Sequence, residues 1–463
     1  MRGSVGRKGR VAGRKGRVAG RFDDLDRRAA GRFDDLDRRI VRLALPALGA
    51  LLVEPVYNLT DSAIVGHLGS VPLGGLAVAT GALNIVGWTS AFLEMATVSM
   101  IAFRRGAGDD AGAGRAAGAA YVWSLGVGVL VAALVAALAV PVVHLLGGHG
   151  TVGHDAVLYL RISAVGLTFL LVSLAGNGHL TGLGDTATPF RIALVANGVN
   201  VVLEVVLVYG LGAGIAGSAW GTVGAQVVSA LLFAAASKRA VVRPFRPGRQ
   251  ELARLGRDGV PLTVRTVALG LALLCSTAIA ARLGTARLAG HQIALQVWLL
   301  LALALDALAV PAQVFVSEGL GRGDRATAEL VGRRTLRFGL VLGSGVGILT
   351  IALAWVLPVV FSPDPAVQHQ ATIALVICGA LQPAAATAFV LDGLVLGASG
   401  YRTLQYAMLA SLAAFAPLAA WTLRDHSLGL VGVWLALTCW LAARALILGW
   451  RWTRGHWGTG ASA

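Results

Sequence analysis

Charge is scarce in this chain. Of its 463 residues only 13% are Asp, Glu, Lys or Arg, where soluble domains carry about a quarter. That share is too small to cover a water-exposed surface, which argues against a soluble globular protein. Cysteine is scarcer still, and Cys275, Cys378 and Cys439 all fall inside apolar runs. Their odd number and the lack of any CxxC pair exclude a disulfide framework and a cysteine metal cluster, and they read as buried, inert thiols. No GxxxxGK[ST] phosphate loop occurs, so the chain has no motif for ATP drive. GxSxG is missing too, and no DDxxD-type carboxylate motif falls in an apolar run; the Asp-Asp pairs lie in the N-terminal tail and at Asp109-Asp110. The nine His show no metal-ligand spacing. Neither a catalytic residue, a metal site nor a cofactor is expected.

What the chain does have is apolar length and repetition. Hydrophobic residues make up 56% of it, and Gly is abundant at 61, as in transmembrane helices. An offset of 215 residues runs through it, as from Pro46 to Pro261. At the same offset Leu68-Gly69 recurs as Leu283-Gly284 and Gly108-Asp109 as Gly323-Asp324. Gly182 recurs as Gly397, and Gly214 with Gly217 as Gly429 with Gly432. The chain is one long unit written twice. A spanning helix needs about 20 apolar residues, and twelve candidates are present. Six lie in the first half, near 40–66, 72–102, 116–146, 154–181, 187–211 and 215–238. Six lie in the second, near 258–283, 287–318, 331–361, 367–397, 403–423 and 428–451. The expected fold is an all-α polytopic membrane protein, with twelve transmembrane helices in two pseudo-symmetric six-helix lobes. The expected divisions are a first lobe at 40–240, a linker at 241–257, a second lobe at 258–455 and a short tail at 456–463.

The loops alternate in charge. One set holds Arg104, Arg105, Arg115 and Arg191, the stretch from Lys238 to Arg257, that from Arg322 to Arg337, and Arg402. The other set is nearly free of Lys and Arg, including Gly147–His154, Gly210–Gly214 and Phe361–Pro365. The positive-inside rule then puts both termini and the Arg-rich linker in the cytoplasm. With six helices per half the repeats are parallel, related by an axis along the membrane normal. The expected location is the cell inner (plasma) membrane, in contact with the lipid bilayer. The net charge of +16 owes half its excess to residues 1–42, which carry fourteen Lys or Arg against six Asp. GRKGRVA and GRFDDLDRR each occur twice there. With few apolar residues, residues 1–39 are expected to be a disordered basic tail, without the apolar core of a signal peptide.

Charge inside a bilayer is costly and marks function by default. In the first half Asp61 and Glu204 stand out. Helical spacing places Glu54, Tyr57 or Asn58, and Asp61 on one face, and Asn197, Asn200 and Glu204 on another. Asn177 lies in the fourth span, and Thr222 with Gln226 in the sixth. A cluster of these would hold a shared proton or a small cation, since a carboxyl in a desolvated site beside a like charge suits reversible protonation. The plainer alternative is that Asp61 and Glu204 sit near helix ends and are solvated. The second half lacks this set: Ser276 stands where Asp61 would recur and Phe415 where Asn200 would. Glu94, Asp306 and Asp392 also fall in apolar runs and, with His291-Gln292, are candidates for lining a central cavity or for structural hydrogen bonds. Arg161, Arg265 and Arg282 read as snorkelling near helix ends. Pro46 and Pro55 share the first helix with Asp61, and a proline there permits a bend.

With these residues in view, the chain over about 40–455 resembles the multidrug and toxin extrusion (MATE) family, DinF-like branch. The resemblance rests on PVYNLTDSAIVGHLG (Pro55–Gly69), FRRGAGD (Phe103–Asp109), NGHLTGLGDTATP (Asn177–Pro189), NVVLE (Asn200–Glu204) and GIAGSAWGT (Gly214–Thr222). It implies two six-helix lobes that export cationic, lipophilic compounds in exchange for H⁺ or Na⁺. By position Asp61 matches the family's first-helix aspartate, Asn177 its fourth-helix asparagine and Thr222 its sixth-helix threonine. Asn200 and Glu204 match an Asn-xxx-Asp pair, and Pro46 a bending proline. Glu204 departs from that pattern, keeping the carboxyl on a longer arm.

The function expected is a secondary antiporter coupled to H⁺, alternatively Na⁺, and acting as a monomer on a cationic or amphipathic small molecule. Nucleic acid is not expected as a partner, although a membrane anchor with a nucleic-acid-binding tail is a third class of reading. The alternatives are a lipid-linked precursor flippase, disfavoured by the few interior Arg in the second lobe, and a membrane-embedded lipid-modifying enzyme.

Overall fold

The computed structural model describes residues 8–240 and 246–455, with side chains from Asp35 onward. Among the described residues every regular element is helical. The first half runs through α1 (Lys8–Gly66), α2 (Ser70–Ser90), α3 (Phe92–Gly106), α4 (Asp110–Leu145), α5 (Gly150–Gly182), α6 (Ala187–Glu204) and α7 (Gly214–Ala240). The second runs through α8 (Arg249–Arg282), α9 (Thr285–Gly321), α10 (Arg325–Leu353), the short α11 (Leu357–Phe361), α12 (Pro365–Gly397), α13 (Tyr401–Arg424) and α14 (Gly429–Thr453). Among the described residues twelve stretches are long and apolar enough to cross a membrane, with α2 and α3 forming one and a π-helical turn, Val205–Gly210, extending α6. The helical segment up to Arg42 is a unit of its own, and the transmembrane body starts at Leu43.

The repeat is written into the backbone. Gly108 and Gly323 take φ of 70° and 73°, and Gly69 and Gly284 take 123° and 116°. Each Asp that follows the first pair caps the next helix: Asp109 accepts from the Gly112 N–H at 2.7 Å, and Asp324 from the Thr327 N–H at 3.0 Å. The packing repeats as well. Gly178 and Gly182 on α5 meet the backbone of Glu94 and Val98, while Gly393 and Gly397 on α12 meet that of Ala309 and Gln313. Every member of the second set lies 215 residues beyond its twin. A Cβ at these positions has no room, so glycine sets how closely the helices approach.

The two halves join through α3 and α9. Gly106 lies against the Glu318 backbone and Gly321 against that of Phe103. This contact is reciprocal at the same offset, as an isologous interface requires, so the pseudo-twofold axis passes between α3 and α9. Gln313 Nε2 donates to the Met95 carbonyl at 2.7 Å, and Ser99 Oγ to that of Leu396 at 2.8 Å. Trp123 Nε1 of α4 donates to the Leu252 carbonyl of α8 at 2.9 Å. All these joints lie toward the Arg-rich ends of the helices, so the halves are closed together on the basic side.

Three expectations on boundaries differ, and one on burial. α1 is already helical from Lys8, where disorder was expected to residue 39. Arg, Lys, Ala and Leu favour helix and no proline interrupts them there. α8 begins at Arg249, within the expected linker; of that linker 241–245 lie outside the described residues, as does the expected tail 456–463. The ninth span ends at Leu353 and not near 361, and α11 starts anew with Pro358 in its first turn, where proline belongs. The cysteines are free but not uniformly buried: Cys378 is buried, Cys275 half-buried and Cys439 exposed on the outer face of α14.

Candidate functional site

Two carboxyl groups meet inside the first lobe. Asp61 comes from the last turns of α1 and Glu204 from the end of α6. They are 5% and 0% exposed, which excludes the reading of two solvated helix-end acids. Their side chains adjoin, with Tyr159 and Ser218 beside them. Ser218 Oγ donates to Asp61 Oδ1 at 2.7 Å. Asn200, one turn before Glu204, donates from Nδ2 to Glu204 Oε1 at 3.1 Å. Tyr57 OH and Thr222 Oγ1 are 2.9 Å apart, and Tyr159 OH lies 3.5 Å from the same Thr222 oxygen. Glu204 Oε2 and Asn200 Oδ1 are buried without a hydrogen-bond partner. Those acceptors are the groups a proton or a small cation would engage.

Local sequence explains how α6 comes close enough. Gly217 and Gly221 of α7 face the π turn and Glu204: a Cβ on Gly221 would stand 2.7 Å from Glu204 Cγ, and one on Gly217 2.9 Å from the Leu207 backbone. The π turn follows Glu204 directly, and such turns recur at functional sites. The helix bearing Asp61 is held differently. α1 is buried at Leu43, Ala44, Ala47 and Val65, and Gly49 lies against the Phe190 ring of α6. Its transmembrane part is tied by side chains: Thr186 Oγ1 to the Leu43 carbonyl at 2.9 Å, Tyr209 OH to that of Ile64 at 2.8 Å, and the Tyr57 and Asp61 bonds. Pro46 and Pro55 both lie within this helix, which continues through them.

The sequence model of the MatE family matches residues 46–206 and again residues 261–421. The chain belongs to the MatE family. Its two matches are themselves 215 residues apart, so the family unit is the repeat seen in the fold. Protein DETOXIFICATION 43 of Arabidopsis thaliana is 36% identical over 289 residues, covering 62% of this chain and 55% of that protein, so the match spans only about half the relative's length. DNA damage-inducible protein F of Escherichia coli (strain K12) is 29% identical over 434 residues, covering 90% of this chain and 92% of that one. Among solved structures, the Vibrio cholerae MATE transporter VcmN in its bent form superposes with a TM-score of 0.85 at 19% identity, over 91% of this chain and 97% of that chain. That last likeness establishes the fold alone. MatE proteins are transporters and not enzymes.

Within this MatE protein the expected set is divided. Asp61, Asn200, Glu204 and Thr222 come together, with Tyr57. Asn197 does not join them; its Nδ2 donates to the Ala193 carbonyl of its own helix at 2.8 Å. Asn177 sits in a second cluster, donating to Glu94 Oε1 at 2.9 Å and accepting from Thr181 at 3.2 Å. Glu54 and Asp306 lie within electrostatic range of that glutamate, so acids from both lobes face one another around Glu94. Gln226 Oε1 is buried beside Gly166 without a hydrogen-bond partner. His291 is buried, its Nε2 3.4 Å from both Ser276 and Thr277, and its ring lies 5.8 Å from Trp434; Gln292 beside it is half-buried.

The second lobe is less plain than its sequence implies. Asp392 is buried between Arg265 and Arg444, accepting from Arg265 Nε at 3.1 Å and Arg444 Nε at 3.0 Å, with a further guanidinium nitrogen of each on Oδ2. Arg265 is 7% exposed and does not snorkel. The ion triad was missed, although two signals existed. Asp392 is the repeat twin of Asn177, and Arg444 stands alone in an apolar run. Ser218 and Tyr159 were also missed; a serine in the GIAGSAWGT segment carries no signal of its partner across the lobe.

Proposed function

We propose that this protein is a secondary antiporter that exports lipophilic or cationic small molecules in exchange for protons. The observation that carries the reading is the buried pairing of Asp61 with Glu204, brought together from two different helices. Two carboxylates side by side in an apolar interior repel when both are ionised, so uptake of one proton relieves the pair. Protonation of Asp61 would also weaken its charge-assisted bond from Ser218, which ties α1 to α7. That helix can then bend near Pro46 or Pro55, and the lobes rock between access states about the α3–α9 axis. The acids around Glu94 would face a cationic substrate between the lobes. Oxygen ligands also suit Na⁺, and the proton is preferred because the two acids adjoin.

The Arg-rich ends of the helices are assigned to the cytoplasm by the positive-inside rule, so the lobes as they stand are closed together on the inward side. Arg265 and Arg444 of the second lobe are both engaged by Asp392, which supports the antiporter over the flippase reading. Transport in proteoliposomes under separately imposed gradients tests the proposal: substrate efflux should follow a pH gradient. Efflux that follows a Na⁺ gradient and ignores pH would defeat proton coupling while leaving the site in place.

A further inference from the structure

We propose that His291 is a second proton-carrying residue, placed in the second lobe where the repeat brings back the Asp61 site. The inference rests on the antiporter reading above. Ser276 of α8 is the repeat twin of Asp61 and is buried. His291 of α9 adjoins it, with Nε2 3.4 Å from Ser276 Oγ and 3.4 Å from Thr277 Oγ1. The second lobe thus keeps a titratable group at this place, carried by its second helix as an imidazole and not by its first as a carboxyl.

Hydrogen bonding favours one tautomer. The Ser276 hydroxyl donates to the Leu273 carbonyl at 2.7 Å, so toward His291 it accepts. That puts the imidazole hydrogen on Nε2 and leaves Nδ1 with a bare lone pair. Nδ1 is buried without a hydrogen-bond partner, in a residue that is 0% exposed. The ring of Trp434 on α14 lies 5.8 Å away, and its Nε1–H is also buried and unpartnered. An open acceptor and an open donor so close together are costly in an apolar interior. A water that accepts from Trp434 and donates to His291 satisfies both, and it is the species that would deliver a proton to Nδ1.

The surroundings link that proton to movement. α8 presents Ser276 and Thr277, α14 presents Trp434, and α12 meets the neighbouring Gly290 with Gln370 and Ala371. Arg287, one turn back on α9, donates to the Leu283 carbonyl at 3.1 Å. Among the described residues no charged group acts on the imidazole. An imidazolium held here would have no counter-charge. Uptake therefore goes with parting of α8, α9 and α14 and entry of water, and release with their closing. Only the Nδ1–H bond forms and breaks, the proton passing from hydronium on one side to water on the other. Each lobe then carries its own proton, one on the Asp61–Glu204 pair and one on His291.

The full chain in proteoliposomes tests the count. The protons exchanged per substrate are read from the pH gradient that just balances a fixed substrate gradient. Glutamine can still donate to Ser276 and Thr277 but does not titrate, so His291→Gln should fold and export with the proton count reduced by about half. An unchanged count in that variant overturns the proposal. A second readout needs no export. In protein labelled at histidine, the ring resonance of His291, identified by its loss in His291→Gln or His291→Asn, should move with pH. A resonance that stays fixed over the whole range in which the protein remains folded overturns the proposal, whether or not the variants fold. A resonance that moves in a protein showing no export under any gradient would remove the antiporter reading and still establish His291 as a proton site.

Discussion

At the scale of single residues the molecule separates acids that act from acids that hold. Asp61 and Glu204 adjoin with acceptors to spare, whereas Asp392 is saturated by two arginines. Their substitutions should therefore fail differently. Asp61→Asn keeps shape and removes titration, so the protein should fold and reach the membrane yet lose gradient-driven export down to the leak of empty liposomes. Wild-type efflux from that variant would refute the coupling role. Asp392→Ala instead strands two buried guanidiniums, at a cost of about 3–5 kcal/mol, and should appear as lost yield and lowered thermal stability before any change in coupling is measurable. The capping aspartates set a third pattern. The Gly112 N–H, and then Arg104, hold the Asp109 carboxyl below the usual carboxylate range. A depressed folded value means the stabilisation is present above the unfolded value of about 3.9 and is lost as pH falls through the folded value. Asp109→Ala should cost about 1 kcal/mol at neutral pH. Thermal unfolding at stepped pH should show its gap from wild type narrowing below about pH 4.

At the scale of helices, glycine and proline decide who approaches whom. Gly221 leaves room for Glu204, and Gly221→Ala should push that carboxyl off Asp61 and reduce export with little loss of fold. Gly198, on α6 with open space at its Cβ position, is the control: Gly198→Ala should leave export intact, and equal losses from both changes would remove Gly221 from the argument. The number, order and approximate limits of the spans were legible in the sequence because an apolar run long enough to cross a bilayer has one stable form there. The end of the ninth span was not, because Pro358 sits within apolar sequence and hydropathy does not register a missing N–H. The π turn after Glu204 was equally hidden: it depends on how Val205–Gly210 pack against Gly217, not on their own composition.

At the scale of the whole molecule the reciprocal contact of Gly106 with Glu318 and Gly321 with Phe103 closes the basic side. A bulky side chain at both glycines has nowhere to go, so Gly106→Leu/Gly321→Leu should open that side. A cysteine placed at Ser99, buried in the seam, should then react with a thiol reagent applied from the basic side in the variant and stay protected otherwise. Equal protection in both would show that this contact does not control access.

The sequence by itself determined the two-fold repeat, the twelve spans and the basic side, because each is a matter of counting: offsets, run lengths and loop charges. It also marked Asp61, Asn200, Glu204 and Thr222, since an acid or amide in an apolar run has no cheap reason to be there. Only the tertiary structure decided which of the marked residues meet. Helical spacing aligned Asn197 with Glu204, yet that side chain bonds its own backbone, and Asn177 turns to Glu94. It also decided that Arg265 and Arg444 share Asp392. Partners drawn from different helices depend on rotation and close packing about each axis, and those follow from glycines and volumes distributed over the whole lobe, not from the spacing within any one run.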